Sequence, residues 1–327
     1  MKHLAALTVL FLAASAAAVE IKPQGVPVTS GDDITADSLL RQGDAEFQAR
    51  DYAAALRTYL SAVDQARREF NRSVETEALA QTARMCLVQD RKEEGRPYLE
   101  QAAAIAVDSD PMGWSRYLGV RGRYQWQDSE LAAARETFEL MFDYCSVNAL
   151  FGRAVDAAHM VAIVAASPED QIAWNRRGIA AAEAADEERW LGPLWNNLGG
   201  TYWDNGQFDS ALACYLKARD YHWRFSDETA KLFADYHVGM TYRHLGDYRE
   251  AQQWLRPVLA WAERLDNREA IGQACEDLGE ALLAEGKRAE GTALLRRARD
   301  AYRAAGYDRT RPEIWDNITR RLKELGE

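Results

Sequence analysis

The side chains of this chain that could carry metal or covalent chemistry are five histidines, four cysteines and a wide scatter of carboxylates. The histidines are His3, His159, His222, His237 and His244. His237 and His244 are two helical turns apart, about 10.5 Å along an axis. A single metal, whose ligand nitrogens stand about 2 Å from it, cannot be shared across that gap. No His-Glu-x-x-His, no phosphate-cradling glycine loop and no Gly-x-Ser-x-Gly is present. The expectation is therefore a chain that is no enzyme, holds no metal and needs no cofactor. Cys86, Cys145, Cys214 and Cys275 are widely separated and fall in different repeats. Their spacing gives no disulfide framework, and four free, packed thiols are expected.

The elements that must position these side chains show in a spacing of 40 residues. Gly199, Gly239 and Gly279 correspond, as do Tyr202, Tyr242 and Leu282, then Ala211, Ala251 and Gly291, then Tyr215, Leu255 and Leu295. Small and large residues recurring at fixed offsets are the signature of a helical repeat array. In the clearest copy, Trp195, Leu198 and Tyr202 lie about one turn apart and share a helix face. Gly199 and Ala211 are small enough for two helices to approach closely. Asp204-Asn205-Gly206-Gln207 between them is a turn signal.

Trp195-x-x-Leu198-Gly199-x-x-Tyr202 followed by Ala211-x-x-x-Tyr215-x-x-Ala218 resembles a tetratricopeptide repeat (TPR). The resemblance covers residues 36 to 305, in copies of 38 to 40 residues against the usual 34, which is similar to the long-helix form of the family. Fainter copies run through Gly43, Ala55, Tyr59 and Ala62, then Ala83, Gly95, Leu99 and Ala102, then Gly122, Ala134 and Phe138. In the fourth copy Val161 replaces the glycine, and Ala173 and Ala180 are read as the later small positions. Ser167-Pro168-Glu169-Asp170 starts a helix there, by N-cap, N1 proline and first-turn acids. Ser226-Asp227-Glu228, Asp266-x-x-Glu269, Asp110-Pro111 and Gly192-Pro193 are read as further helix starts. The resemblance implies an all-α, α-α superhelical solenoid of about seven helical hairpins over residues 37–305. A capping segment over 306–327 follows. There Ile314, Trp315, Ile318, Leu322 and Leu325 form an apolar stripe, with Arg320, Arg321 and Lys323 expected to face out.

Met1-Lys2-His3, an apolar run from Leu4 to Ala14 and Ser15-Ala-Ala-Ala18 read as a secretory signal peptide, residues 1–18, cleaved after Ala18. The apolar run is too short to span a bilayer, so no transmembrane segment is expected once it is removed. Residues 19–36, with Pro23, Gly25, Pro27 and Gly31, read as a flexible lead-in. A secreted or periplasmic location follows as an expectation. The net charge of −11 argues against nonspecific nucleic-acid binding and against docking to anionic lipid.

In the family that the chain resembles, the first helix of each repeat lines a concave surface where extended peptides or helices lie. Helical offset puts Asn196, Asn197, Gly200 and Trp203 on that face in the fifth repeat. It puts Tyr236, His237, Met240, Arg243 and His244 there in the sixth, and Arg116, Arg123 and Trp126 in the third. The seventh presents Glu276, Asp277 and Glu280. Asparagine donates and accepts toward a peptide backbone, aromatics give contact area with few rotatable bonds, and arginine pairs with carboxylates. Cations in mid-groove of an acidic protein suit an acidic segment of a partner protein or peptide. The competing reading is that these residues only pack between repeats. Asn196 and Asn197 resemble part of the constellation with which some relatives grip a C-terminal carboxylate, but the matching lysines are missing, so chaperone-tail binding is not implied. The leading reading is a protein-interaction scaffold. A cell-envelope enzyme or enzyme regulator, and a self-associating envelope component, stand as alternatives.

Overall fold

The computed structural model describes residues 34–327. The expected leader with its cleavage after Ala18, and residues 19–33 of the lead-in, lie outside these. Among the described residues there are sixteen helices and no strand. The fold is all-α, with helices in repeated antiparallel pairs as in α-α solenoids, and it divides into two compact lobes at Leu191/Gly192.

The first lobe holds α1 (Ala36–Gln48), α2 (Tyr52–Glu69), α3 (Arg72–Val88), α4 (Lys92–Ile105), α5 (Pro111–Gln127), α6 (Leu131–Val147), α7 (Phe151–Val164) and α8 (Pro168–Ala184). Neighbours in sequence pack together as hairpins, and α3 also lies along α5. α1 starts one residue inside the expected lead-in, because the Thr35 hydroxyl accepts from the Ser38 N–H as its N-cap. The core gathers Tyr59, Leu79, Met85, Leu118 and Tyr124. A second cluster holds Phe138, Val161 and Trp174.

α9 (Glu188–Asp204) runs across the division. The second lobe continues with α10 (Phe208–Phe225), α11 (Glu228–Leu245), α12 (Tyr248–Arg264), α13 (Arg268–Ala284), α14 (Arg288–Ala304), α15 (Tyr307–Thr310) and α16 (Pro312–Glu324). Its core runs through Leu232, Leu255, Leu278, Leu295 and Tyr302 to Ile318 and Leu322 of α16. Burying each such side chain contributes about 1.5–3 kcal/mol, so α16 covers the apolar face that the last hairpin would otherwise expose.

The recurring glycine has one task. It sits in the first helix of a hairpin, and a large side chain from the second helix fills the place of its missing Cβ. A Cβ on Gly43 would stand 2.6 Å from the Tyr59 ring, and one on Gly199 2.7 Å from the Tyr215 ring. Turns within hairpins of the second lobe use Gly206, Gly246 and Gly286 with positive φ, whereas Arg50, Asp90 and Ser129 take that conformation in the first.

Several local readings need correction. The fourth hairpin exists, with Ser167 capping α8 through the Asp170 N–H, but Ala173 and Ala180 are exposed and Trp174, Gly178, Ile179 and Ala182 turn inward. Residues 165–167 alone connect α7 and α8, without the left-handed turn of the other hairpins, and the helix phase shifts. α9 starts at Glu188, so Gly192-Pro193 falls inside it, because Leu191 is already buried by packing. Asn267 caps α13, through the Ala270 N–H, while Asp266 takes a positive φ. Arg321 does not point away: its Nε and Nη2 donate to Glu280 at 2.6 and 2.9 Å.

Candidate functional site

Of the expected groove residues in the second lobe, Asn196, Trp203, Tyr236, His237, Arg243 and His244 form one connected chain. The His237 Nδ1–H, the tautomer that a carbonyl partner requires, donates to Asn196 Oδ1 at 2.8 Å. The His237 ring stacks on Tyr215 at 4.9 Å and lies 5.7 Å from Tyr236. The Tyr236 hydroxyl donates to Asp277 Oδ2 at 2.7 Å, and Arg243 Nε donates to the other oxygen of Asp277. Arg243 Nη2 meets His244 Nε2, and the His244 ring packs edge-on to Trp203 at 4.3 Å, with Phe208 behind both. Asn197 belongs to the same turn of α9 as Asn196, and its carbonyl accepts from the Thr201 hydroxyl at 3.1 Å.

Burial sets the charge states of this cluster. It presses the His237 imidazole down to about 4, helped by His222 nearby, so the ring is neutral at pH 7. His244 is lowered by burial and then by Arg243. The Tyr236 phenol is pushed well above its ordinary value by burial and by Asp277. Asp277 is 4% exposed and takes two donors. Arg243 is thus the counter-charge of a buried carboxylate, and the sequence reading that made it a free cation for a partner is revised. The acidic trio is also engaged, since Glu276 accepts from the Tyr302 hydroxyl and Glu280 from Arg321. The surface this cluster presents is aromatic and amide, carried by Trp203, His244 and Asn197.

The expected residues of the third repeat, Arg116, Arg123 and Trp126, lie in the first lobe, all on α5. Arg116 donates to Asp44 at 3.3 Å and to Glu77 at 3.2 Å. Arg123 binds both oxygens of Asp156, at 2.7 and 3.0 Å. Trp126 packs against the cluster of Phe138 and Trp174. Around these arginines, sequence reasoning missed a polar face built by α1, α3, α5 and α7. The Tyr59 hydroxyl donates to Asp44 Oδ1 at 2.6 Å, and Gln81 Nε2 donates to both partners at 2.9 Å. Arg153 joins Glu77 to the Ser115 hydroxyl. The missing signal was the repeat itself: Glu77 and Arg84 stand one repeat before Arg116 and Arg123, and so hold the same face one hairpin earlier.

No group of three or more His, Cys, Asp or Glu positioned for a metal occurs among the described residues. All four cysteines are buried and outside any disulfide. Among the described residues no helix is long and apolar enough to cross a membrane. An open cleft of about 540 Å³ lies on α10, α11 and α12, lined by Trp223, Lys231, Pro257, Trp261 and Arg264. The chain's own cations lie over its indoles, Arg219 at 4.9 Å from the Trp223 ring centre and Arg264 at 5.8 Å from that of Trp261.

Residues 192–218 match one tetratricopeptide repeat model and residues 237–265 another. No curated protein matches the chain in sequence. Among solved structures, the chain is similar to a signal-transduction ATPase with numerous domains (STAND) from Pyrococcus horikoshii that has a tetratricopeptide repeat sensor. The TM-score is 0.71 at 13% identity, over 88% of this chain and 44% of that one; the chain therefore spans less than half the length of that protein. It is also similar to the apo form of RapI (TM-score 0.69, 12% identity, 82% of this chain and 77% of that one). Aspartyl phosphate phosphatase F from Bacillus subtilis gives a TM-score of 0.56 at 12% identity, over 81% and 70% of the two chains. At such identities the likeness concerns fold alone. The chain thus carries tetratricopeptide repeats in its second lobe and is built of helical hairpins of that kind.

Proposed function

We propose that this protein is a non-catalytic scaffold that holds a partner protein or peptide on the first helices of its hairpins. The observation that carries the reading is the second-lobe cluster. Asp277 fixes Tyr236 and Arg243, His237 fixes Asn196, and the outermost groups, Trp203 and His244, are held in one orientation by their neighbours. Preorganised aromatic surface beside an amide suits an extended peptide, because little side-chain freedom is lost on binding. The helices of 17 and 18 residues in the second lobe support reading its repeats as the long form. We place the protein outside the cytoplasm, on the N-terminal apolar pattern alone.

Selection of a displayed random-peptide library on the purified chain tests the binding role. Selected peptides should lose about tenfold or more in affinity for Trp203→Ala, with the helical circular dichroism unchanged. Equal binding to the variant excludes this cluster. Cell fractionation with N-terminal sequencing tests the location; a chain that retains Met1 in the cytoplasm overturns it.

A further inference from the structure

The polar face of the first lobe is not balanced. Four guanidiniums, Arg84, Arg116, Arg123 and Arg153, meet three carboxylates, Asp44, Glu77 and Asp156. Arg116 is satisfied by Asp44 and Glu77, Arg153 by Glu77 and Ser115, and Arg123 by both oxygens of Asp156. Arg84 is left over. It is half-buried on α3, its guanidinium 4.6 Å from the centre of the Phe47 ring, and no carboxylate among the described residues comes within ion-pair distance. Burial and the adjacent Arg123 press its guanidinium down to about 10, against the pull of Asp156, which is what an unmatched cation in a crowded site should show. Leaving a cation so placed costs stability, and an anion delivered from outside recovers that cost.

We infer that the first-lobe face of α1, α3, α5 and α7 binds an acidic peptide segment, with Arg84 taking a glutamate or aspartate side chain. This rests on the scaffold reading above and names the partner's chemistry at a second face. A planar guanidinium backed by an aromatic ring presents its outer N–H pair to a carboxylate in bidentate geometry. A side chain within the segment fits better than a chain terminus. Asp44 on one flank and Asp156 on the other keep part of their surface exposed, and both can accept backbone N–H groups, which continue on both sides of an internal residue only. The second-lobe face lacks this surplus, since Arg243 is consumed by Asp277.

The test uses the full chain labelled with ¹⁵N-arginine and three acetylated glycine–serine peptides. One has a central glutamate and an amidated end, one a central glutamine and an amidated end, and one the glutamine with a free carboxyl end. The Arg84 Nε–H signal is assigned by its loss in Arg84→Gln. The expected result is a saturable shift of that signal with the glutamate peptide alone, and an affinity reduced about tenfold in Arg84→Gln. Arg84→Lys, which keeps the charge, should retain part of the binding and guards against a folding defect, checked by thermal melting. Four results overturn the inference: no saturable shift with the glutamate peptide, equal affinity in Arg84→Gln, a shift only with the free carboxyl end, or the same shift from sodium acetate at equal concentration. None of these touches Trp203, so the second-lobe reading stands or falls separately.

Discussion

Gly199 and Tyr215 fit as notch and ring: a Cβ on the glycine would lie 2.7 Å from Tyr215 Cε1. The next residue, Gly200, has only the Tyr215 hydroxyl near, at 3.9 Å. Gly199→Ala should therefore destabilise by about 1–3 kcal/mol through overpacking, although alanine is the better helix former. Gly200→Ala should be neutral or stabilising by up to about 1 kcal/mol. Urea unfolding of the two variants, side by side, checks the contrast; equal effects would mean that the close approach is not real.

Arg243 and Asp277 make a pair whose loss is asymmetric. Arg243→Ala leaves a buried carboxylate with one donor and should cost about 2–4 kcal/mol, on the low side for buried pairs because Arg243 is partly exposed. Adding Asp277→Asn should recover a good part of that. A double variant no more stable than Arg243→Ala would show that the charge is not the issue, and a denaturant series on the two proteins decides it.

Acid should loosen the second lobe before carboxylates titrate. His222 and His237 are each held at about 4 by burial, below the ordinary 6.5. The unfolded chain binds protons that the folded chain refuses between those values. The stability they contribute is therefore complete above about pH 6.5 and drains as pH falls toward 4, on the order of 1 kcal/mol or more per histidine. Unfolding midpoints at pH 7, 5.5 and 4.5 should fall accordingly, and His237→Gln should flatten the slope.

Phe70 ends α2 in the left-handed conformation, φ 57°, with its ring 91% exposed. A bulky residue is strained there by about 1–2 kcal/mol, and glycine is not. Phe70→Gly should raise the melting temperature by a few degrees, and a fall would mean that the ring makes a contact of its own.

The four buried thiols should stay inert in the native protein. Burial pushes Cys145 and Cys275 up to about 11, so the reactive thiolate is scarce at pH 8. Ellman's reagent should report almost no thiol before denaturation and four after it.

What was legible in the sequence was whatever the recurring rhythm repeats. Glycine, alanine and ring positions gave the hairpins, and offsets singled out Asn196, Trp203, Tyr236 and His237, which the structure joins in one contact network with Tyr236 buried inside it. What escaped was pairing. Arg243 and Asp277 were each read as facing inward, but as offerings to a partner, because a helix face alone does not say which charges satisfy each other between neighbouring hairpins. Arg84 was missed because the face was followed through the third, fifth, sixth and seventh repeats and not the second. Ala173 and Ala180 failed for a different reason: the short link after α7 lacks a left-handed turn and resets the phase, which periodicity cannot detect.

Each recurring glycine notch and the large side chain that fills it, Tyr59, Phe138 and Tyr215 or Leu255 and Leu295, lie within one hairpin, on a single short stretch of chain. A gene segment encoding one hairpin therefore transports both halves of its own fit. Tandem duplication of residues 239–278 would lengthen the second lobe without inventing any new complementarity inside the inserted copy. Growth by copying, rather than by redesign, is the evolutionary path this geometry leaves open.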